Sequence, residues 1–156
     1  MKAEYLNPFL EATKDVIETM AKIPVRPKTL RLKAEKKTYG AITGIIGITS
    51  PHLNGSMVIS FSELCILKIV ANMTSTYEKI KIDSEVVDAV GELTNMICGG
   101  AKNRLAKMDM KFDLALPTVL VGKNMQISYL PNTPIIVIPF MTEGGEFVVE
   151  ANLQMK

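Results

Sequence analysis

One long helix is indicated between residues 83 and 107, where the sequence reads DSEVVDAVGELTNMICGGAKNRLAK. It opens at Asp83, and Glu85 in its first turn complements the positive end of the helix dipole. The basic residues near its C-terminal end are Lys102, Arg104 and Lys107. We take this helix as the central element of the fold.

The helix has one apolar and one polar face when its residues are placed at about 100° intervals. The apolar stripe comprises Val86, Val90, Leu93, Ile97 and Ala101, extended by Val87, Thr94, Cys98 and Leu105. On the opposite face Glu92 and Asn95 stand side by side, because residues three apart are neighbours on a helix surface. The sequence therefore predicts a carboxylate and a carboxamide, one turn apart, on an exposed face.

Three glycines interrupt this helix, and each destabilises it by about 1 kcal/mol relative to alanine. They are Gly91, Gly99 and Gly100, and Met96 is turned towards the polar side. Such small residues beside Glu92 and Asn95 leave room for another surface to approach. The alternatives are a merely solvated face, glycines that let a neighbouring helix pack closely, and a methionine that fills a gap.

Two further helices precede the long one. The first begins at Asn7 or a few residues earlier and ends before a pair of prolines. The second is capped by Ser60 or Ser62 and reaches about Met73. The strand-like segments are residues 30–35, 39–49, 55–61, 114–121, 126–130, 135–141 and 146–153, with hairpin turns expected at 122–124 and 143–145.

Antiparallel strands in uninterrupted runs, with helices between the runs, favour an α+β fold over a wound parallel sheet. We predict two layers, a mostly antiparallel sheet with helices packed on it, in a single domain of residues 1–156. Residues 135–140 read IIVIPF, which is apolar on both faces, and Pro139 indicates a sheet edge or a bulge. Because an apolar edge needs a partner, this segment favours a homodimer through sheet-edge strands.

Composition excludes several classes of function. Eighteen Lys and Arg against 16 Asp and Glu give a net charge of +2, too weak a field to favour nucleic-acid binding. There is no Trp, and Tyr and Phe are few, so bases would find little to stack on. His52 is the only histidine and lies in a turn-like stretch, so a Ser-His-Asp triad, a Cys-His pair or a zinc site is not expected.

The cellular setting is predicted from what the sequence lacks. Its longest apolar runs are far too short to span a membrane, and residues 1–5 do not resemble a signal peptide. Cys65 and Cys98 lie among apolar neighbours in helical segments, as small buried side chains in a reducing compartment do. We expect a cytoplasmic protein with no membrane partner.

The stretch from Asp88 to Lys102, DAVGELTNMICGGAK, closely resembles the signature helix of the CheC, CheX and FliY chemotaxis phosphatases. That signature has an acidic residue or Ser, a Glu four residues on, an Asn three further on, and a proline about two dozen positions later. Asp88, Glu92, Asn95 and Pro117 match it, and residues 7–13 share in the resemblance. The CheX branch is most similar, because the first helix offers Glu11 followed by Lys14 and so lacks a second Glu-x-x-Asn.

The resemblance implies hydrolysis of the aspartyl phosphate of a phosphorylated CheY-type response regulator. Asn95 would orient the attacking water, and Glu92 would pair with the active-site lysine of the regulator. The residues expected to contact the regulator are Asp88, Met96, Gly99 and Lys102. The regulator would bring its own Mg²⁺, so the chain is expected to hold no metal or cofactor, and the CheX branch also implies a homodimer.

Two other functions stay open at this stage. The chain could be a non-catalytic docking module that binds the regulator or belongs to the flagellar switch; retention of both Glu92 and Asn95 favours the enzyme. A metal hydrolase would need carboxylate ligands such as Asp109, Asp113, Glu143 and Glu146. Carboxylates at loop ends are more often surface charge, so this is the weakest of the three.

Overall fold

The computed structural model describes residues 3–156. The helices are α1 Ala3–Ala21, α2 Glu63–Met73 and α3 Ser84–Ala106. The strands are β1 Arg26–Pro27, β2 Arg31–Leu32, β3 Ile42–Thr49, β4 Leu53–Phe61, β5 Asp113–Leu114, β6 Thr118–Val121, β7 Ile136–Thr142 and β8 Gly145–Met155.

The strands form one antiparallel sheet in the order β1-β7-β8-β4-β3-β5, with β2 also paired to β7 and β6 also paired to β3. The two longest strands, β4 and β8, pair at its centre. Helices α1 and α3 pack against each other on one face, and α2 joins the same core. The predicted α+β class, a mostly antiparallel sheet with helices packed on it, is confirmed.

The helix-facing side of the sheet carries the main core. Its centre includes three phenylalanines from different strands: the ring centroids of Phe140 and Phe147 are 5.0 Å apart, and those of Phe61 and Phe147 are 5.2 Å apart. All three side chains are fully buried. Burial of about 150–250 Å² by each aromatic residue makes this cluster a large contribution to the stability of the helix–sheet layer.

Helix boundaries follow the expected caps. The Ser62 hydroxyl, rather than that of Ser60, accepts from the Cys65 N–H at 3.3 Å and caps α2. The Asp83 carboxylate accepts from the Val86 N–H at 3.1 Å and caps α3. The described part of α1 already includes Ala3, so this helix starts before Asn7, one of the two starts that the sequence left open. Among the described residues, none of the helices combines the length and the apolar character that a membrane span requires.

Three predictions about strands are wrong. Residues 114–121 form two short strands, because Pro117 cannot donate to a ladder and the chain bulges before it. Residues 126–130 are not a strand; only an isolated bridge joins Gln126 to Lys37. The turn at 122–124 therefore joins no hairpin, whereas the turn at 143–145 does connect β7 and β8.

Residues 126–135 instead cover the face of the sheet opposite the helices. The Asn152 carboxamide holds them there, since Oδ1 accepts from the Leu130 N–H at 2.7 Å and Nδ2 donates to the carbonyls of Thr133 and Pro134 at 3.3 Å. Three side chains of the segment form a smaller apolar cluster with Val58 of β4; they are Ile127, Tyr129 and Ile135. Side chains of β8 thus hold the middle of this segment, while backbone bonds hold its ends: the Ile127 N–H donates to the Lys36 carbonyl at 3.1 Å, and the Ile135 carbonyl accepts from the Lys33 N–H at 2.9 Å.

The predicted sheet edge at residues 135–140 is also wrong. Strand β7 is paired on both sides, by β8 and by the short strands β1 and β2. Pro139 falls between the two short strands, where its carbonyl accepts from the Lys28 N–H at 2.8 Å. The unpaired edge that favoured a homodimer is therefore absent from β7, although short strands at an edge leave other backbone groups free to pair.

Candidate active site

Helix α3 lies unusually close to the sheet at one point. Gly44 of β3 faces Thr94, and a Cβ atom built on Gly44 would lie 2.0 Å from Thr94 Oγ1. Thr94 is fully buried, and its hydroxyl donates to the Val90 carbonyl at 2.6 Å, which satisfies it inside the helix. This contact fixes which side of α3 faces the sheet.

A second contact fixes α3 against α1. A Cβ atom built on Gly100 would lie 3.1 Å from Ala12 Cβ, so the glycine allows the two helices to approach closely. Arg104 then spans the pair: one guanidinium nitrogen donates to the Gly100 carbonyl at 3.1 Å and another pairs with the Asp15 carboxylate. The packing interpretation of the helix glycines is thus correct for Gly100.

These two contacts leave Glu92 and Asn95 on the outer side of α3. Both residues are exposed, as predicted. Among residues 3–156, no cation lies within 4.0 Å of the Glu92 carboxylate, and the Asn95 carboxamide makes no hydrogen bond. A rigid helix therefore presents an acid and a neutral amide that are both available to another molecule.

The four predicted contact residues share this face but differ in exposure. Asp88 is exposed, and a Cβ atom on Gly99 would meet nothing within 4 Å, so space beside Asn95 is open. Met96 and Lys102 are half-buried. Lys102 lines an open cavity of about 320 Å³, together with Ser50, Pro51, Ala106, Lys111, Phe112 and Asp113.

One flank of the face is built by β5 and β6. A Cβ atom on Gly91 would lie 3.5 Å from a methyl carbon of Val119, which places β6 against this side of the helix. Pro117, the last residue of the signature-like pattern, lies in the connection between β5 and β6 and is half-buried. Beside it Leu116 is 90% exposed. Sequence reasoning missed Leu116, because inside a regular strand it would be an ordinary alternating residue.

Conventional catalytic groups are not assembled at this face. Cys98 lies one turn beyond Asn95, but it is buried, and burial raises the pKa of its thiol to about 12, so it is not a thiolate nucleophile. His52 is exposed in the β3–β4 loop, as predicted. Within residues 3–156, no three His, Cys, Asp or Glu side chains gather as metal ligands, which removes the grouping that the metal-hydrolase alternative needed.

Helix α1 does not repeat the site. Where the pattern of α3 would require an asparagine three residues after Glu11, the chain has Lys14. The Lys14 ammonium pairs with Glu18 at 2.6 Å, along the helix. The described part of α1 therefore offers no second Glu-x-x-Asn pair.

Comparison with known proteins agrees with this arrangement. The family model described as chemotaxis phosphatase CheX matches residues 42–141, which include most of the sheet and all of α3. CheY-P phosphatase CheX of Thermotoga maritima is 33% identical over 129 residues, which is 81% of each chain.

Solved structures show the same fold. Chemotaxis protein CheX of Vibrio vulnificus has a TM-score of 0.89 at 37% identity, over 97% of this chain and 100% of that one. CheX of Borrelia burgdorferi, solved in complex with CheY, BeF3 and Mg²⁺, has a TM-score of 0.82 over 98% and 99% of the two chains; at 22% identity this is a likeness of fold. By its family match and its identity to a curated relative, the chain belongs to the CheX family of chemotaxis phosphatases.

Proposed function

We propose that this chain is a phosphatase that hydrolyses the aspartyl phosphate of a CheY-type response regulator. The observation that carries the proposal is the pair Glu92 and Asn95, exposed and unpaired within residues 3–156 on a helix locked to the sheet. Support comes from a relative named as a CheY-P phosphatase and from the CheX–CheY complex of Borrelia burgdorferi. Residues 1–156 would act as one phosphatase domain in the cytoplasm.

In the proposed reaction, water attacks phosphorus while the bond from phosphorus to the aspartyl oxygen breaks. The products are inorganic phosphate and a free carboxylate on the regulator. An acyl phosphate is already reactive, and the regulator carries its own Mg²⁺, so positioning of the water and electrostatic support remain to be supplied. Neither task requires a nucleophile or a metal on this chain.

Asn95 is suited to orient the attacking water. A carboxamide donates and accepts hydrogen bonds at once, and it carries no charge that would repel the phosphoryl oxygens. Gly99 is open to solvent one turn further along, so the surface of the regulator can come close to the amide. A carboxylate at position 95 would accept from water but would face the negative phosphoryl group.

Glu92 is suited to bind and orient the regulator through its active-site lysine. The pair would form in a partly desolvated interface, where opposite charges contribute more than on an open surface. Asp88 and Lys102 would form the rim of the contact, and Met96 and Gly99 would lie beneath it. The acidic end of the face near Asp88 and the basic end near Lys102 are about 21 Å apart along the helix, which favours a single docking orientation.

Asn95→Ala tests the assignment, with Asn103→Ala as the matched control on the same helix. We expect Asn95→Ala to bind a regulator activated with BeF3⁻ and Mg²⁺ normally, but to lose at least about 100-fold in dephosphorylation rate. Asn103→Ala should retain the wild-type rate. A wild-type rate in Asn95→Ala would contradict the water-orienting role, and a wild-type chain that binds without hydrolysis would be a docking module.

The homodimer stays a proposal, because β7 is paired on both sides and does not provide the unpaired apolar edge from which a homodimer was predicted. The remaining candidates are the outer edges formed by β1 and β2 and by β5 and β6, where the strands are short. Light scattering at micromolar concentration tests it, since a monomer mass would contradict the dimer.

A further inference from the structure

The connection between β5 and β6 contains a bulge on the edge of the sheet. Leu114 pairs with Ile48, and Thr118 pairs with Ile45, so three residues on the outer strand oppose two on β3. The three are Ala115, Leu116 and Pro117. A bulge of this kind redirects side chains, and bulges are over-represented beside active sites.

The bulge is anchored rather than loose. The Ala115 N–H donates to the Gly47 carbonyl at 3.0 Å, and Ala115 Cβ would lie 3.5 Å from a Cβ atom on Gly47. Pro117 restricts the backbone on the other side, because its ring fixes its own φ and limits the residue before it. Leu116, held between these two, is 90% exposed.

Leu116 lies in the stretch of chain that runs beside α3, and Asn95 lies on the part of α3 that this stretch flanks. Val119 contacts Gly91 of the helix, while Asp113 lines the same cavity as Lys102, so the chain from 113 to 119 follows α3 from Lys102 back to Gly91. Leu116 is midway along that path, and Asn95 is between the same two helix positions. The distances agree, since β3 spans about 17 Å from Thr49, the partner of Asp113, to Gly44, the partner of Val119, and eleven helical residues also span about 17 Å.

Asn95 is also on the side of α3 that is nearer to β6 than to α1. On a helical wheel Asn95 is about 40° from Gly91, which faces β6, and about 140° from Gly100, which faces α1. A molecule that covers the Asn95 amide therefore reaches the β5–β6 connection before it reaches α1. A single exposed leucine is ordinary on a protein surface. An exposed leucine that a bulge fixes beside the candidate site is unusual.

We propose that Leu116 is an apolar docking residue for the phosphorylated CheY-type regulator, and that the docking surface extends from α3 onto the β5–β6 connection. This inference rests on the proposed function. The occupant is the CheY-type regulator, because the β5–β6 connection flanks α3 between Gly91 and Lys102, the part of the helix that carries Asn95. Charge agrees as well: Lys102 and Lys111 outnumber the one carboxylate, Asp113, in the cavity lining on this flank, and a site that holds Mg²⁺ is rich in carboxylates.

Leu116→Ser tests the inference, with Leu64→Ser as the control. Leu64 is 76% exposed in the first turn of α2, so both substitutions remove a similarly solvated leucine. The probe is a purified CheY-type regulator from the same organism, activated with BeF3⁻ and Mg²⁺ for binding and phosphorylated for kinetics. Leu116→Met is included because it restores apolar volume.

We expect Leu116→Ser to weaken binding and raise KM about tenfold, the order expected for one leucine buried in an interface. The kcat at saturating regulator should be unchanged because Asn95 is intact, Leu116→Met should recover most of the affinity, and Leu64→Ser should match the wild type. Unchanged affinity in Leu116→Ser, or an equal loss of affinity in Leu64→Ser, overturns the inference. In either case the proposed function stands if the wild-type chain binds the regulator and hydrolyses its phosphate. A wild-type chain that does neither overturns both.

Discussion

Gly44 of the sheet and Thr94 of α3 approach each other closely. A Cβ atom on Gly44 would lie 2.0 Å from Thr94 Oγ1, so position 44 has room for a hydrogen but not for a methyl group. Thr94 is the residue immediately before Asn95. The depth and the rotation of α3 at this point therefore decide where the Asn95 amide projects. A glycine in the sheet thus sets the orientation of a side chain on the outer surface of the helix.

Gly44→Ala should lower the free energy of unfolding by about 2–3 kcal/mol, because the new methyl group must displace a buried, hydrogen-bonded threonine. Urea denaturation measures the change. Gly47→Ala is the matched control on the same strand, since its Cβ atom would make only an ordinary contact of 3.5 Å with Ala115 Cβ. Equal effects of the two substitutions would contradict the steric argument.

The double variant Gly44→Ala/Thr94→Ala makes the test specific. Removal of Thr94 Oγ1 takes away the nearest clashing atom, so the double variant should be less destabilised than the sum of the two single variants by at least about 1 kcal/mol. Additive effects would instead show that Gly44→Ala acts through some other neighbour.

The helices and the main strands could be predicted because their signals are local. Asp83 was predicted as one helix start and Ser60 or Ser62 as another, and apolar segments bounded by turn residues indicated β3, β4, β7 and β8. The strand predicted at residues 126–130 is wrong for a physical reason: Ile127 and Tyr129 are buried as in a strand, but the Leu130 N–H bonds to the Asn152 side chain, more than 20 residues away, and not to a neighbouring strand. The order of apolar and polar residues along the chain predicts which side chains are buried, but it does not predict which backbone groups pair.

The candidate site could be predicted in part for the same reason. The spacing of Glu92 and Asn95 fixes their shared face on any regular helix, and the structure confirms that face as exposed. The roles of the three glycines could not be separated, because Gly91 meets Val119, Gly100 meets Ala12, and only Gly99 is open. Those neighbours come from β6 and α1, which no helical pattern encodes.

Gly99 and Gly100 should respond differently to the same substitution. Gly99→Ala should raise the free energy of unfolding by about 1 kcal/mol, because alanine favours the helix and its methyl group meets nothing. Gly100→Ala gains the same propensity but forces a contact of 3.1 Å with Ala12 Cβ, so it should be less stable than Gly99→Ala. Thermal denaturation of the two variants side by side checks this order, and the reverse order would contradict it.

Bulk at position 99 separates stability from docking. Gly99→Leu should fold as well as Gly99→Ala, since the position is open, but its side chain would occupy the space beside Asn95. Under the proposed function we expect its dephosphorylation rate at subsaturating regulator to fall by at least about tenfold. Wild-type activity in Gly99→Leu would show that the regulator does not approach this part of the face.

Glu92→Gln should weaken binding of the activated regulator, and the loss should shrink as salt is added. Because the proposed pair is only partly desolvated, added salt still screens it as the Debye length falls from about 10 Å at 0.1 M to about 3 Å at 1 M. Glu11→Gln, an exposed carboxylate on α1, is the control. A loss of affinity that is independent of salt would argue against a lysine partner for Glu92.

Lys33 and Glu150 form an ion pair on the covered outer face of β8, with Nζ 2.7 Å from the carboxylate. Glu150 is 1% exposed and also accepts from the Tyr129 hydroxyl. Lys33→Met leaves a buried carboxylate without its cation and should lower the free energy of unfolding by about 3 kcal/mol. Lys28→Met is the exposed control, and Lys33→Met/Glu150→Gln should recover part of the loss because the buried charge is gone.

The two buried thiols should make the protein less stable in alkali. Burial raises the pKa of Cys98 to about 12 and that of Cys65 to about 11, from 9.0 in the absence of burial. Above pH 9 the unfolded chain therefore loses thiol protons that the folded chain keeps, so ionisation favours unfolding. The contribution of the two protonated thiols to the free energy of unfolding is undiminished below pH 9. It is lost as the pH rises towards 11 and 12, by at most about 1.4 kcal/mol per pH unit for each thiol.

Urea denaturation at pH 8 and pH 10.5, under reducing conditions, measures this loss. Cys98→Ala removes one of the two thiols, so the free energy of unfolding should fall less between pH 8 and pH 10.5 in the variant than in the wild type. The smaller side chain destabilises the variant equally at both pH values, so it does not affect this difference. Burial of the Tyr129 hydroxyl raises its pKa as well and leaves a residual slope in both proteins. An equal difference in wild type and variant would mean that Cys98 is accessible to water in the folded state, against its full burial between α3 and the sheet.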